Sequence, residues 1–288
     1  MASDDKVSPK FVDLLFDSEA FGKMYCVDYA SGSGTNFRES VLESREPGSN
    51  FSIDLLVVDK LQKKKGGPYI GAVNYADQFG IPCMHVNGFE YCGSWAEAKK
   101  SVEGIREYER RAQIFNSELY NAVKQYEDNK GITFDLAVLA GYMRLFKGAS
   151  MRRFNRKGLN IHPAALDIFN EDGTRKYIGD SAVFDALNSG EKLTRSSVIL
   201  LDPETDAGAI IASGPWIEYR GPRPVTQEAA DEHQNKQKEM SDWPALRFAL
   251  REIARGKIGL HKKKFHADGN PVVIYDGTEM PYEGFRLG

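Results

Sequence analysis

The strongest constraint on this chain is an alternation of short apolar runs with longer stretches whose apolar residues recur at helical spacing. The clearest run, Phe134-Asp135-Leu136-Ala137-Val138-Leu139-Ala140, stops at Gly141. Near-continuous apolar runs suit strands buried on both faces, and strands that alternate with amphipathic stretches suit a parallel sheet wrapped by helices. Strands are expected at 24–30, 53–58, 81–86, 134–140, 159–162, 196–201 and 210–217. Helices are expected at 38–44, at 69–79 and at 227–255, the last amphipathic around Trp243, Leu246, Leu250 and Ile253. Ala98, Val102, Ile105, Ala112, Phe115, Leu119 and Val123 mark one helix or two across 95–126. The expected fold class is α/β, a mostly parallel twisted sheet with helices on both faces.

A chain of 288 residues can bury roughly three quarters of its unfolded surface and needs no covalent staples. Its 38 basic and 41 acidic residues leave a formal charge of −3, which argues against a dedicated nucleic-acid binder, whose footprint is a basic excess. No apolar run approaches the roughly 20 residues of a membrane span. The start, Met1-Ala2-Ser3-Asp4-Asp5-Lys6, lacks the basic-then-apolar order of a secretory signal. Cys26, Cys83 and Cys92 are odd in number and have no C-x-x-C spacing, so neither a disulfide framework nor a cysteine zinc site is expected and a reducing cytosol is. Lys63-Lys64-Lys65-Gly66-Gly67-Pro68 reads as a solvated loop. With no internal repeat, low-complexity tract or obvious linker, the expectation is one domain, residues 24–288, after an extension, 1–23.

Two places carry chemistry. Ser31-Gly32-Ser33-Gly34-Thr35-Asn36 lies between a strand and a helix. Glycine allows positive φ and close backbone approach, and a helix N-terminus offers free N–H groups at its positive end, which together suit a phosphate. A dinucleotide fingerprint would need a third glycine at position 37, where Phe37 stands, so a phosphate monoester is favoured over NAD; a plain tight turn is the alternative. The second place is Asn160-Ile161-His162-Pro163, whose two polar side chains share one face because strand side chains alternate. They stand at a C-terminal strand end, where open α/β sheets bind ligands. Asp202-Pro203-Glu204-Thr205-Asp206-Ala207-Gly208 follows a later strand as an acid-rich turn, by default a solvent-exposed one. Folded back onto His162, Asp206 would favour the imidazolium. An imidazolium beside an amide donor is suited to stabilising a tetrahedral oxyanion.

In order along the chain, these pieces resemble the glycinamide ribonucleotide transformylase family of folate-dependent formyltransferases. Residues 30–37 resemble the family's phosphate-holding strand-turn-helix, and Val138-Leu139-Ala140-Gly141-Tyr142-Met143-Arg144-Leu145 its A-G-[FY]-M-R segment, whose backbone lines the folate pocket. Leu159-Asn160-Ile161-His162-Pro163 resembles the N-I-H-P active-site strand, and 197–208 the strand and loop that end in the catalytic Asp. Glu239-Met240-Ser241-Asp242-Trp243-Pro244 resembles the run whose Glu meets the ribose hydroxyls, and 268–284 the closing hairpin. The resemblance implies a Rossmann-like formyltransferase fold with an antiparallel C-terminal portion. It also implies a phosphate- and nucleotide-binding half, 24–158, and a catalytic and folate-binding half, 159–288.

The implied roles are transfer by Asn160, His162 and Asp206, phosphate binding by Gly34, Thr35 and Asn36, and ribose binding by Glu239. Folate binding would fall to Tyr142, Met143, Arg144, Leu145, Asp202 and Glu204. The implied reaction is formyl transfer from 10-formyltetrahydrofolate to the amine of glycinamide ribonucleotide in a cytoplasmic enzyme of purine synthesis. Its partners would be small molecules, with no nucleic acid, membrane or metal; a homodimer is left open. Rival readings are another amine acceptor (a sugar nucleotide or tRNA), hydrolysis of the formyl-folate, a catalytically silent ligand-binding relative, and a nucleotide-dependent oxidoreductase disfavoured by Phe37.

The chain also departs from the family pattern. His162-Pro163-Ala164-Ala165-Leu166-Asp167 stands where the family continues H-P-S-L-L-P, and Asn170-Glu171-Asp172-Gly173-Thr174-Arg175 reads as an insertion. Gly179-Asp180-Ser181-Ala182 lacks a family histidine, and Ile199 replaces another. Residues 1–23 and about 60–115 exceed the compact family pattern, and Arg110 or Arg111 is expected to stand in for a phosphate-binding arginine.

Overall fold

A computed structural model describes residues 6–64 and 66–288. Lys65, within the expected loop, and residues 1–5, within the stretch expected to carry no secretory signal, lie outside the described residues. The architecture is mixed α/β, as the sequence pattern implies. The chain divides into two compact units, one of residues 24–45 and 52–158, the other of residues 1–23, 46–51 and 159–288. Among the described residues no helix is long and apolar enough to cross a membrane.

In the first unit the strands stand in the order Leu136–Leu139, Met24–Ala30, Phe51–Val58, Cys83–His85. The pair at each end of this series is parallel. Leu55, Leu56, Val57, Val27, Ala137 and Val138 are buried, which accounts for the unbroken apolar runs. The helix that follows Met24–Ala30 begins at Thr35, three residues before the expected start, because Gly34 at φ +70° serves as its N-cap. Between 88 and 130 the chain forms three helices. Gly88–Cys92 was not expected from the sequence, Trp95–Ala98 is a single turn, and Val102–Lys130 starts afresh where the Ser101 hydroxyl accepts from Gly104 N. The long helix buries Tyr108, Ala112, Phe115, Leu119 and Val123 and stops at Gly131, φ +65°.

In the second unit Gly158–His162, Ser197–Leu200 and Ile210–Ser213 pair antiparallel, and Phe285–Arg286 adds in parallel to Ile210–Ser213. A separate antiparallel sheet consists of Val12–Leu14, Ile258–Phe265, Pro271–Tyr275 and Thr278–Glu279, in that order. Its first strand comes from the extension at the start of the chain: Val12 pairs with His261 and Leu14 with Gly259. The stretch expected as one helix at 227–255 is interrupted. Gln227–Gln237 passes into a π-turn, Lys238–Asp242, before Trp243–Ala254 resumes the α-helix. Pro244 accounts for the break, because it has no N–H to return to the carbonyl one turn back.

Candidate active site

The side chains of Asn160 and His162 emerge on one face of the strand Gly158–His162, as strand alternation requires. His162 is 3% exposed. Its Nε2 lies 2.8 Å from the carbonyl oxygen of Tyr177. A carbonyl oxygen only accepts, so Nε2 carries a hydrogen. Nδ1 lies 3.4 Å from Asp206 Oδ2. The same carboxylate accepts from Asn160 Nδ2 at 3.3 Å through Oδ1 and from the Gly179 amide at 2.9 Å through Oδ2. The structure therefore brings Asn160, His162 and Asp206 together, although Asn160 and Asp206 are 46 residues apart. Asn160 has two amide hydrogens and this contact uses one of them.

The strand end is supported from behind by a buried polar network. Gln237 Nε2 donates to the Pro163 carbonyl at 2.8 Å and to Ser196 Oγ at 3.1 Å. The Thr194 hydroxyl donates to Gln237 Oε1, so it accepts from His233 Nε2, 2.7 Å away. Burial and the nearby Lys236 charge hold His233 below the usual imidazole range. Ser196 Oγ donates to Asp242 and the Ser196 amide to Ser241 Oγ, which fixes the π-turn. Glu239 is exposed on that turn.

In the first unit Gly34 is constrained twice. Its φ is +70°, and a Cβ there would lie 2.3 Å from Ala72 Cα. Among the described residues no side chain caps the helix that begins at Thr35, and none offers a hydrogen bond to the buried Asn36 Oδ1. Ser31 ties this turn to the 142–145 segment: its hydroxyl accepts from Met143 N at 2.9 Å and its amide donates to Gly141 O at 3.2 Å. The Arg144 side chain is engaged inside the unit, by Asp59 at 2.8 Å, Gly93 O at 2.9 Å and the Tyr108 hydroxyl at 3.1 Å. Tyr142 is buried edge-on against Tyr29, and burial drives its hydroxyl well above the usual range. Met143 is 63% exposed and Leu145 half-buried.

Elsewhere, Asp202 accepts from the Glu204 amide at 3.0 Å in a local turn, and Glu204 is exposed. Arg110 and Arg111 both pair with Glu107, whose carboxyl their hydrogen bonds hold down to about 2. Cys26 and Cys92 are buried and Cys83 is exposed, and none of the three is in a disulfide. Among the described residues no three His, Cys, Asp or Glu side chains cluster so as to hold a metal ion.

The formyl transferase family profile matches residues 25–215. The chain belongs to the formyl transferase family. It is 31% identical over 184 residues to the phosphoribosylglycinamide formyltransferase of Bacillus subtilis (strain 168), a match covering 64% of this chain and 74% of that protein. It is 28% identical over 181 residues to the trifunctional purine biosynthetic protein adenosine-3 of Homo sapiens, covering 63% of this chain but only 14% of that longer protein. Its fold is shared with the phosphoribosylglycinamide formyltransferase of Coxiella burnetii, at a TM-score of 0.65 and 21% identity, over 92% of this chain and 100% of the other. It is also shared with glycinamide ribonucleotide transformylase 1 of Symbiobacterium toebii, at a TM-score of 0.62 and 19% identity, over 88% and 94%. The resemblance drawn from the motifs thus holds in sequence and in fold.

Sequence reasoning about this formyltransferase missed the backbone groups of Tyr177 and Gly179, which reach His162 and Asp206. Any residue can offer a carbonyl or an amide, so no side-chain signal marks them. It also missed Gln237, whose one hint is a glutamine on the buried face of a largely polar helix.

Proposed function

We propose that this formyltransferase moves the formyl group of 10-formyltetrahydrofolate onto the primary amine of glycinamide ribonucleotide, in a cytoplasmic step of purine synthesis. The observation that carries the reading is the convergence of Asn160, His162 and Asp206 at one strand end. In the proposed reaction the uncharged amine attacks the formyl carbon and the carbonyl oxygen becomes a tetrahedral oxyanion. Asn160, with one amide hydrogen still available, donates to that oxygen. Both nitrogens of His162 face protein oxygens, so a protonated ring would contribute its charge and no N–H of its own. Collapse of the intermediate breaks the bond to the folate nitrogen, which takes up the proton the amine gives away, relayed by a water beside Asp206.

Roles away from the reacting atoms follow the same proposal. Gly34, Thr35 and Asn36 hold the substrate phosphate, the first-turn amides of an uncapped helix being suited to it. Glu239, exposed on its π-turn, holds the ribose hydroxyls. For the co-substrate folate the same proposal assigns the backbone of Tyr142, Met143, Arg144 and Leu145 in one unit and, separately, the turn of Asp202 and Glu204 in the other. Arg144 serves that backbone by fixing it from inside, since three partners already occupy its side chain. Anchoring remote from the reacting amine orients it, and orientation is a large source of rate.

The test is a formyl-transfer assay with 10-formyltetrahydrofolate and a panel of amines, namely glycinamide ribonucleotide, an amino-sugar nucleotide and charged initiator tRNA. Turnover with glycinamide ribonucleotide far above the others is expected. Preference for another amine would move the substrate assignment, and no turnover of any amine would overturn the reading.

A further inference from the structure

The turn that carries Asp206 is held by side chains from two other parts of the chain. Asp206 has φ +53°, a left-handed conformation that an L side chain keeps only where its surroundings impose it. Arg175 Nη1 donates to the Asp206 carbonyl at 2.5 Å, and Nη2 to the Gly208 carbonyl at 2.9 Å. Asn270 Nδ2 donates to the Ala207 carbonyl between them, at 2.7 Å. Three successive carbonyls of the turn are therefore each gripped by a side chain.

The gripping residues are also tied to one another. Arg175 Nε donates to the Tyr282 hydroxyl at 2.9 Å, and that hydroxyl donates to Asp268 Oδ2 at 2.6 Å. Asn270 Nδ2 reaches the same Asp268 oxygen at 2.8 Å. Burial opposes the Asp268 charge, but the hydrogen bonds from Tyr282 and Asn270 outweigh it and hold the carboxyl below its usual range. The Arg175 side chain is 8% exposed, so its own bonds to the turn are made by a desolvated guanidinium, where geometry is tightly specified, whereas the Asp268 side chain is 26% exposed.

Arg175 ends the inserted stretch 170–175. That stretch is a small hairpin, closed by a bridge between Phe169 and Arg175 and by Asn170 N to Thr174 O at 2.8 Å. Two and four residues further on, Tyr177 and Gly179 deliver their backbone groups to His162 and Asp206. One short segment thus touches both members of the pair.

We propose that Arg175 is a positioning residue for formyl transfer, acting through Asp206, with Asn270, Tyr282 and Asp268 completing the cage that aims the carboxylate at His162 and Asn160. The inference rests on the proposed role of Asp206 in the reaction.

The test is a double-mutant cycle on the full chain, measuring kcat and both KM values with Arg175→Met, Asp206→Asn and the pair. Arg175→Met is expected to lower kcat by about 10- to 100-fold, the scale of a misplaced catalytic group, with each KM within about twofold. The double variant should fall no further than Asp206→Asn alone, because an arginine acting through that carboxylate has nothing left to aim. Arg175→Lys, whose ammonium keeps the charge and donors but lacks the guanidinium's planar fork, should lose less than Arg175→Met. A wild-type kcat in Arg175→Met, or losses that multiply in the double variant, would overturn the proposal. If Arg175→Met does not fold, the same cycle is run with Arg175→Lys and Tyr282→Phe under the same criteria. A wild-type kcat in Asp206→Asn overturns the role of Asp206 itself, an outcome separable from the arginine variants.

Discussion

His162 stands with Nδ1 3.4 Å from Asp206 Oδ2 and Nε2 2.8 Å from the carbonyl of Tyr177. Each ring nitrogen thus faces an oxygen of the protein. In the proposed reaction a protonated ring there would lend a developing anion its charge, leaving the remaining amide hydrogen of Asn160 as the direct donor. The two residues therefore predict different consequences on removal.

Replacing Asn160 with Ala should lower kcat by about 10²–10³-fold, the cost of one lost oxyanion donor, with little change in either KM. Replacing His162 with Ala should reduce kcat as severely and should also loosen the Asp206 turn. Steady-state kinetics of the two variants check this. A larger effect on KM than on kcat in Asn160→Ala would show that its amide serves ground-state binding.

Gly34→Ala should be destabilising and should weaken phosphate recognition together. A left-handed alanine and an added carbon 2.3 Å from Ala72 Cα should jointly cost about 2 kcal/mol or more. In kinetics KM for glycinamide ribonucleotide should rise while KM for the formyl-folate changes little. Urea denaturation and steady-state assays read the two effects, and an unchanged midpoint with unchanged KM would refute the placement of the phosphate.

Asp28 makes stability depend on pH. It is fully buried on the strand Met24–Ala30, and burial pushes its carboxyl well above the usual range, offset only in part by the Ser40 hydroxyl. The folded chain keeps this proton at pH values where the unfolded chain has lost it. Its contribution is therefore fully present below the unfolded value near 3.9 and is lost as pH rises toward the folded one, by up to about 1.4 kcal/mol per pH unit. Asp28→Asn removes that slope, so its stability advantage over the wild type should grow between pH 5 and pH 8. Chemical denaturation at the two pH values should show a widening gap; an equal difference at both would refute it.

Gln237→Leu should cost about 1–3 kcal/mol, because the Pro163 carbonyl, Thr194 and Ser196 all lose a buried partner. Pro163 follows His162 directly, so kcat should fall as well. A leucine variant with wild-type stability would mean that the network closes without the amide.

Much of the fold was legible because its strongest signals are contiguous. The run at 24–30 coincides with the observed strand Met24–Ala30, and the pattern at 159–162 lies within Gly158–His162. The shared face of Asn160 and His162 was legible too, since alternation requires it wherever the strand ends. Asp206 was not: nothing local separates it from any exposed acidic turn, and only the family resemblance singled it out. Arg175 and Asn270 were out of reach, because they hold backbone carbonyls that no sequence pattern marks. The π-turn at Lys238–Asp242 was hidden because apolar periodicity runs on into Trp243–Ala254. The strand Val12–Leu14 is too short and too exposed to show any period.

That small strand also bears on how the chain is made. Val12 to Leu14 leave the ribosome almost a full chain length before Ile258 to Phe265, the neighbours they will bond. At roughly 5–20 residues per second the wait is on the order of tens of seconds, during which the strand has no edge to join. Docking of that strand is therefore a late event in biogenesis, one that waits until residues 258–265 have emerged.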